Sequence, residues 1–345
     1  MDIFNDSNGQ FILEQAKAGQ KKELFKNSLI LGILLLCYNI FLELSVYLYY
    51  YFFYFWKTRK LTFDFDVCKD YIADNIKTFS VTEFEMLGNA FVTFVSLMGI
   101  VLLARIGFKI KISQMLKSDK KSVMLGVKVF PFSLLLNYSF TMIISIITVF
   151  FASRGIVIPE ADFSVDKTTF IAGFSMFLYM VVLAPIIEEI VYRGFVLKLI
   201  SPYGKTVSII ISAFIFGFMH GNLSQFVTAF ATGIVFSAVA VKTGSILPTI
   251  VMHMMNNVIN FIAIVGEDYS LDICITVYSV LFTCILLVGV MEVFLFRNVI
   301  RSKPQETTLL STKESTKTIL LNPAMILYLA YLTYHFIEQI IKANM

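Results

Sequence analysis

Glu188 and Glu189 are adjacent in an otherwise apolar stretch, and Arg193 follows the second by one helical turn. An ionisable group at the centre of a membrane helix costs about 2.5–3.5 kcal/mol on insertion scales, so charge there calls for a partner and a purpose. His220 and His253, two of the chain's three histidines, lie on later apolar segments. Carboxylates, an arginine and two imidazoles on successive apolar segments can move protons and steady a developing negative charge. The competing reading is a salt-bridge network that only fixes helix packing.

Spacing divides the work among these groups. On a helix, Glu189 and Arg193 share a face, while Glu188 is turned away by about 100°. Glu189 is therefore expected to be a supporting carboxylate neutralised by Arg193, leaving Glu188 for proton chemistry. In Phe216-Gly-Phe-Met-His220 the aromatic ring sits one turn before the histidine and can wall the site against lipid. In His253-Met-Met-Asn-Asn257 an imidazole and an amide share a face. Polar side chains in lipid must find protein partners, so Glu188, His220, His253 and Asn257 are expected to converge. Glu188 with His220 can activate water, and His253 with Asn257 can hold an oxyanion, which is the chemistry of amide hydrolysis. Glu188, His220 and His253 are also enough ligands for a Zn2+ with an open position, although no His-x-x-x-His pair is present. The expected cofactor is none or Zn2+.

The elements that must hold these groups are membrane helices. The chain has 345 residues, 57% of them apolar, and a mean hydropathy of +0.78, outside the range of ordinary soluble domains. Apolar runs fall at 28–56, 88–104, 130–151, 168–187, 207–220, 225–241, 246–265, 273–296 and 323–341. Runs of about 20 residues suit about 30 Å of hydrocarbon. The expected fold is all-α, a polytopic transmembrane helical bundle of about 8–9 membrane helices. The runs are too long and too uniformly apolar for a transmembrane barrel.

Loop charge sets the expected orientation. Lys17, Lys21, Lys22 and Lys26 precede the first run and put the amino terminus in the cytoplasm. Arg105, Lys109, Lys111, Lys117, Lys120 and Lys121 form a basic connection, followed by an acidic one with Glu160, Asp162 and Asp166. Lys198 and Lys205 are basic again, Glu267, Asp268 and Asp272 acidic, and Arg297, Arg301 and Lys303 basic. The alternation follows the positive-inside bias, so the net charge of +4 reports topology. No basic patch accompanies a binding motif, so a nucleic-acid partner is excluded. The expected partners are the lipid bilayer and a peptide or protein substrate. The Phe-, Ile- and Lys-rich composition points to a bacterial plasma membrane.

No fixed-period repeat or transporter-like internal symmetry is visible. Residues 1–27 read as a cytoplasmic segment and 28–160 as peripheral membrane helices with charged loops. Residues 165–265 form the reactive core. Residues 266–345 are carboxy-terminal membrane helices joined by a polar cytoplasmic linker at 298–322. His335, between Tyr334 and Phe336, is assigned to packing. Cys37 and Cys284 lie within spans as small apolar groups. No spacing rule stands behind a Cys68–Cys274 pair. The aromatic run from Tyr47 to Trp56 reads as an interfacial belt.

Glu188-Glu189-Ile-Val-Tyr-Arg193-Gly194, Phe216-x-x-x-His220 and His253-x-x-x-Asn257, in that order, resemble the motif set of the CAAX-protease and bacteriocin-processing (CPBP, or Abi) family. The stretch from Thr243 to Pro248 is similar to that family as well, and the resemblance covers about residues 165–265. It implies a membrane-embedded endopeptidase, glutamate- or metal-dependent. Eukaryotic members remove the last three residues of prenylated CAAX proteins, and many bacterial ones are linked to bacteriocin maturation or self-immunity. The substrate it implies is a lipidated protein, a bacteriocin precursor or another membrane-associated chain. By resemblance Glu188 is the base with His220 beside it, His253 and Asn257 bind the oxyanion, and Glu189 and Arg193 support the site. Two other classes compete: an immunity protein that acts by binding, and a proton-coupled transporter using the same groups as a relay.

Overall fold

The computed structural model describes residues 7–75, 81–159, 169–268, 272–295 and 308–345. Every regular element among them is helical. In chain order these are α1 (Ser7–Thr58), α2 (Phe65–Asn75), α3 (Val81–Ile106), α4 (Ile112–Met115) and α5 (Lys120–Ala152). A single bent rod follows, made of α6 (Phe170–Phe177), a π-helical turn (Leu178–Leu183), α7 (Ala184–Glu188), a second π-helical turn (Glu189–Phe195) and α8 (Val196–Ile200). After a 3-10 turn come α9 (Lys205–Phe218), α10 (Leu223–Thr243), α11 (Leu247–Asp268), α12 (Asp272–Leu295), α13 (Thr312–Leu320) and α14 (Pro323–Asn344).

Seven helices among the described residues are long and apolar enough to cross a membrane, the last of them Pro323–Asn344. Lys205–Phe218 and Ser279–Val293 are apolar but shorter. The protein is an integral, multi-pass membrane protein built as an all-helical bundle. Large apolar side chains such as Met142, Ile146 and Val149 on α5 are exposed, as lipid-facing residues must be.

Several expected boundaries move. The first helix begins at Ser7, because the polar segment ahead of the first apolar run is rich in Lys, Glu, Gln and Ala, which favour helix. The fourth run does not end at 187: the rod continues through both glutamates to Ile200. Part of the linker at 298–322 is helical. Ser311 and Glu314 form a reciprocal capping box at the start of α13. Lys17 bonds Glu314 at 2.9 Å and the Ser315 hydroxyl donates to the Tyr203 carbonyl at 2.7 Å. Residues 298–307 lie outside the described residues, as do the loop acids Glu160, Asp162 and Asp166 and the bases Arg297, Arg301 and Lys303.

The aromatic run is only partly an interfacial belt. Tyr47, Phe52 and Trp56 are exposed, but Tyr49 and Phe53 turn inward and pack with Ile72 of α2 and Phe84 of α3. A helix places residues four apart on one face, so a continuous aromatic run must face both ways. Cys68 is a free, buried thiol, and the side chain of Cys274 lies outside the described residues.

The main core gathers helices from both ends of the chain around the rod. Leu31, Leu34, Leu35 and Tyr38 of α1 and Met325 and Tyr328 of α14 share one buried cluster with Ile187, Val191, Tyr192 and Phe195. Lipid tails give helices no hydrophobic reason to associate, so close packing must hold them. Gly32 allows it: a Cβ there would lie 2.6 Å from the Ala324 backbone on α14.

Candidate active site

The rod owes its shape to Pro185. A proline inside a helix lacks an N–H and its ring collides with the carbonyl four residues earlier. The helix answers by widening into the π turn that ends at Leu183, with the Ala184 N–H reaching back five residues to Tyr179. Turns of this kind inside α-helices concentrate at functional sites. One turn past Pro185 the rod reaches Glu188, then widens again at Glu189–Phe195, which is buried throughout.

Glu189 and Arg193 form the expected pair, with Arg193 Nη1 donating to Glu189 Oε1 at 2.9 Å. Both side chains are 0% exposed. The guanidinium also stacks on two aromatic rings, 3.9 Å from the centroid of Phe216 and 5.5 Å from that of Phe236, a contact that gains strength when dry. Phe216 was expected only to wall the site; it also holds Arg193.

Sequence reasoning missed a second partner of Glu189. His253 Nδ1 lies 3.0 Å from the same Oε1, so Glu189 bridges Arg193 and His253. A carboxylate only accepts, so Nδ1 carries the proton and the ring is held with Nε2 turned outward. Nε2 lies 3.7 Å from Glu188 Oε2. The Glu188 side chain is 16% exposed against 0% for Glu189. One carboxylate is sealed and doubly bonded, and the other is reachable.

His220 closes a third side. Its ring stands edge-on to Phe216 at 5.2 Å, and His253 stands edge-on to the same ring at 5.8 Å. His220 Nδ1 donates to the Phe216 carbonyl at 2.9 Å, so Nε2 is the acceptor when the ring is neutral. Glu188 and His253 lie within electrostatic range of His220. α9, which ends two residues before His220, has 14 residues, about 21 Å at 1.5 Å per residue, less than about 30 Å of hydrocarbon. Gly221, at φ +73°, makes the turn that ends it, a conformation other residues rarely adopt.

Asn257 lies one turn beyond His253 on α11 and reaches a different partner. Its Nδ2 donates to the Met180 carbonyl at 2.7 Å, and its Oδ1 accepts from Asn256 at 3.2 Å. Glu188, His220, His253 and Phe216 thus come together, while the Asn257 amide is anchored to the first π turn. The start of α11 is fixed by α4, since the Met115 carbonyl accepts the Ile246 N–H at 2.9 Å and the Ser245 hydroxyl at 3.1 Å. His335 is elsewhere, 3.4 Å from Glu338 on α14.

Among the described residues, no group of three or more His, Cys, Asp or Glu is placed to hold a metal ion. A cavity of about 300 Å³ lies past Arg193, lined by Gly194, Lys198, Lys205 and Ser245. Glu188, His220 and His253 do not line it, so it is separate from this cluster.

Residues 170–259 match the Rce1-like family model, described as type II CAAX prenyl endopeptidase. The matched segment contains all three motifs, and the family is the one they resemble. The match supports a CAAX-type protease. No curated protein and no solved structure matches the chain.

Proposed function

We propose that the chain is an intramembrane endopeptidase whose reactive core lies within residues 165–265 and whose base is Glu188. One observation carries the assignment: of two adjacent glutamates, Glu189 is sealed between Arg193 and His253, while Glu188 stays partly accessible beside His253 Nε2. A packing network has no use for the second carboxylate; a hydrolase does.

In the proposed reaction Glu188 takes a proton from water as the oxygen attacks the carbonyl carbon of the scissile peptide. His220 Nε2 accepts a hydrogen bond from the same water and orients it. The carbonyl oxygen becomes an oxyanion, met by the second N–H of Asn257 and, when His253 carries both protons, by His253 Nε2–H. Collapse breaks the C–N bond, and the departing amine takes the proton from Glu188. Water is consumed, acid and amine are released, and no redox partner is needed.

The substrate proposed is a membrane-associated peptide or protein, presented from the bilayer. The alternation of basic and acidic loops supports a cytoplasmic amino terminus, and the composition a bacterial plasma membrane. The test is cleavage of a library of membrane-tethered peptides in proteoliposomes, wild type against Glu188→Gln. The amide keeps the shape and removes the base, so turnover is expected to vanish with folding intact. Equal cleavage by both proteins refutes the assignment, and binding without cleavage by both favours an immunity protein that works by capture.

A further inference from the structure

The Asn257 amide rests on an acceptor that a proline makes available. In the first π turn the Ala184 N–H is spent on Tyr179. The next residue, Pro185, has no N–H to return to Met180, five residues back. The Met180 carbonyl is thereby left for a side chain, and Asn257 Nδ2 takes it at 2.7 Å. A carboxamide nitrogen has two protons. Asn256 holds the oxygen end at 3.2 Å, so the amide cannot swivel, and one proton is committed to Met180. The other projects from a fixed nitrogen.

We propose that Pro185 is a positioning residue: by withholding an N–H it leaves the Met180 carbonyl to orient Asn257 toward the substrate oxygen. The proposal rests on the hydrolytic reading above for its consequence, but not for its geometry. It explains why the proline, the base and the oxyanion amide belong together: Pro185 lies one turn before Glu188, so one backbone defect places the base and aims the amide across the gap to α11.

The experiment is Pro185→Ala, which restores the missing N–H to a strong helix former. With Asn side chains labelled with 15N in micelles, the Asn257 amide resonance, identified by its loss in Asn257→Ala, is expected to shift upfield as its hydrogen bond to Met180 is lost. An unmoved resonance overturns the proposal. Where the wild type cleaves peptide, Pro185→Ala is expected to lower kcat about 10- to 100-fold with little change in KM, as a displaced group does. Asn257→Ala is expected to lose about 100- to 1,000-fold, the usual cost of an oxyanion donor. The double variant should be no worse than Asn257→Ala alone, since both changes act through one amide. Multiplying losses overturn the proposal. Pro185→Ser, which also carries an N–H, repeats every arm should Pro185→Ala not be recovered folded. A moved resonance in a protein that cleaves nothing upholds the orienting contact and refutes the proposed hydrolysis instead.

Discussion

Replacing Arg193 with Met is expected to cost far more stability than replacing Glu188 with Gln, though the residues lie on one segment. Arg193 and Glu189 are both 0% exposed, so solvent does not screen the loss. The substitution strands Glu189 in the core and removes the guanidinium from the face of Phe216, 3.9 Å away. Breaking a buried pair by deleting one partner costs about 3–5 kcal/mol. His253 remains 3.0 Å from the same carboxylate oxygen and offsets part of the loss, which places the expectation near 3 kcal/mol. That is about a hundredfold in the folded-to-unfolded ratio. Glu188 is partly exposed and its ion-pair contact, with His253, is a long 3.7 Å, so Glu188→Gln is expected to cost less than about 1 kcal/mol. The double variant Glu189→Gln, Arg193→Met leaves no stranded charge and is expected to recover much of the loss. Steric-trap unfolding in bicelles measures all four proteins. The reasoning fails if Arg193→Met is as stable as wild type, or if the double variant is worse than the single.

Gly32→Ala is expected to cost about 1–3 kcal/mol by overpacking α1 against α14, read by the same assay; wild-type stability would show that the two helices do not meet so closely. Ser311→Ala removes the cap of α13 and is expected to cost about 0.5–2 kcal/mol locally, seen as faster hydrogen exchange in Thr312–Leu320. Glu314 is held down to about 2 by its bonds to Ser311 and Lys17. A lowered carboxyl stabilises the folded form above its ordinary value of 4.5 and loses that effect as pH falls toward 2. Exchange protection of α13 should therefore hold from neutral pH to about 5 and decline below it; a decline that begins near neutral pH would contradict the pairing. Peptide cleavage is expected to survive strong chelators in protein shown by elemental analysis to be metal-free. Loss on chelation with recovery on added zinc would assign the reaction a metal.

Much of this was legible in one dimension. Hydrophobic runs of membrane length announce helices because a bilayer leaves the backbone few other solutions. The Glu189–Arg193 pair was readable because a helix brings residues four apart together wherever it occurs. The same rule separated Glu188 from Glu189. Boundaries were less secure: the helix through Glu188 was expected to stop before it, since polar residues read as ends until they are seen to satisfy each other.

What the chain order could not disclose is which helices meet. Glu189 bridges to a histidine on α11, and Phe216 of α9 stacks on Arg193 of the rod; no local spacing encodes either. The first and last helices join the core around Tyr192, although their sequences carry none of the motifs. Asn257 was recognisable as an amide aimed inward, but its partner is a backbone carbonyl, which has no sequence signature of its own. Periodicity reports what one helix presents, because backbone geometry repeats along it. Only packing in three dimensions decides what that face receives, because each partner lies on another helix far along the chain.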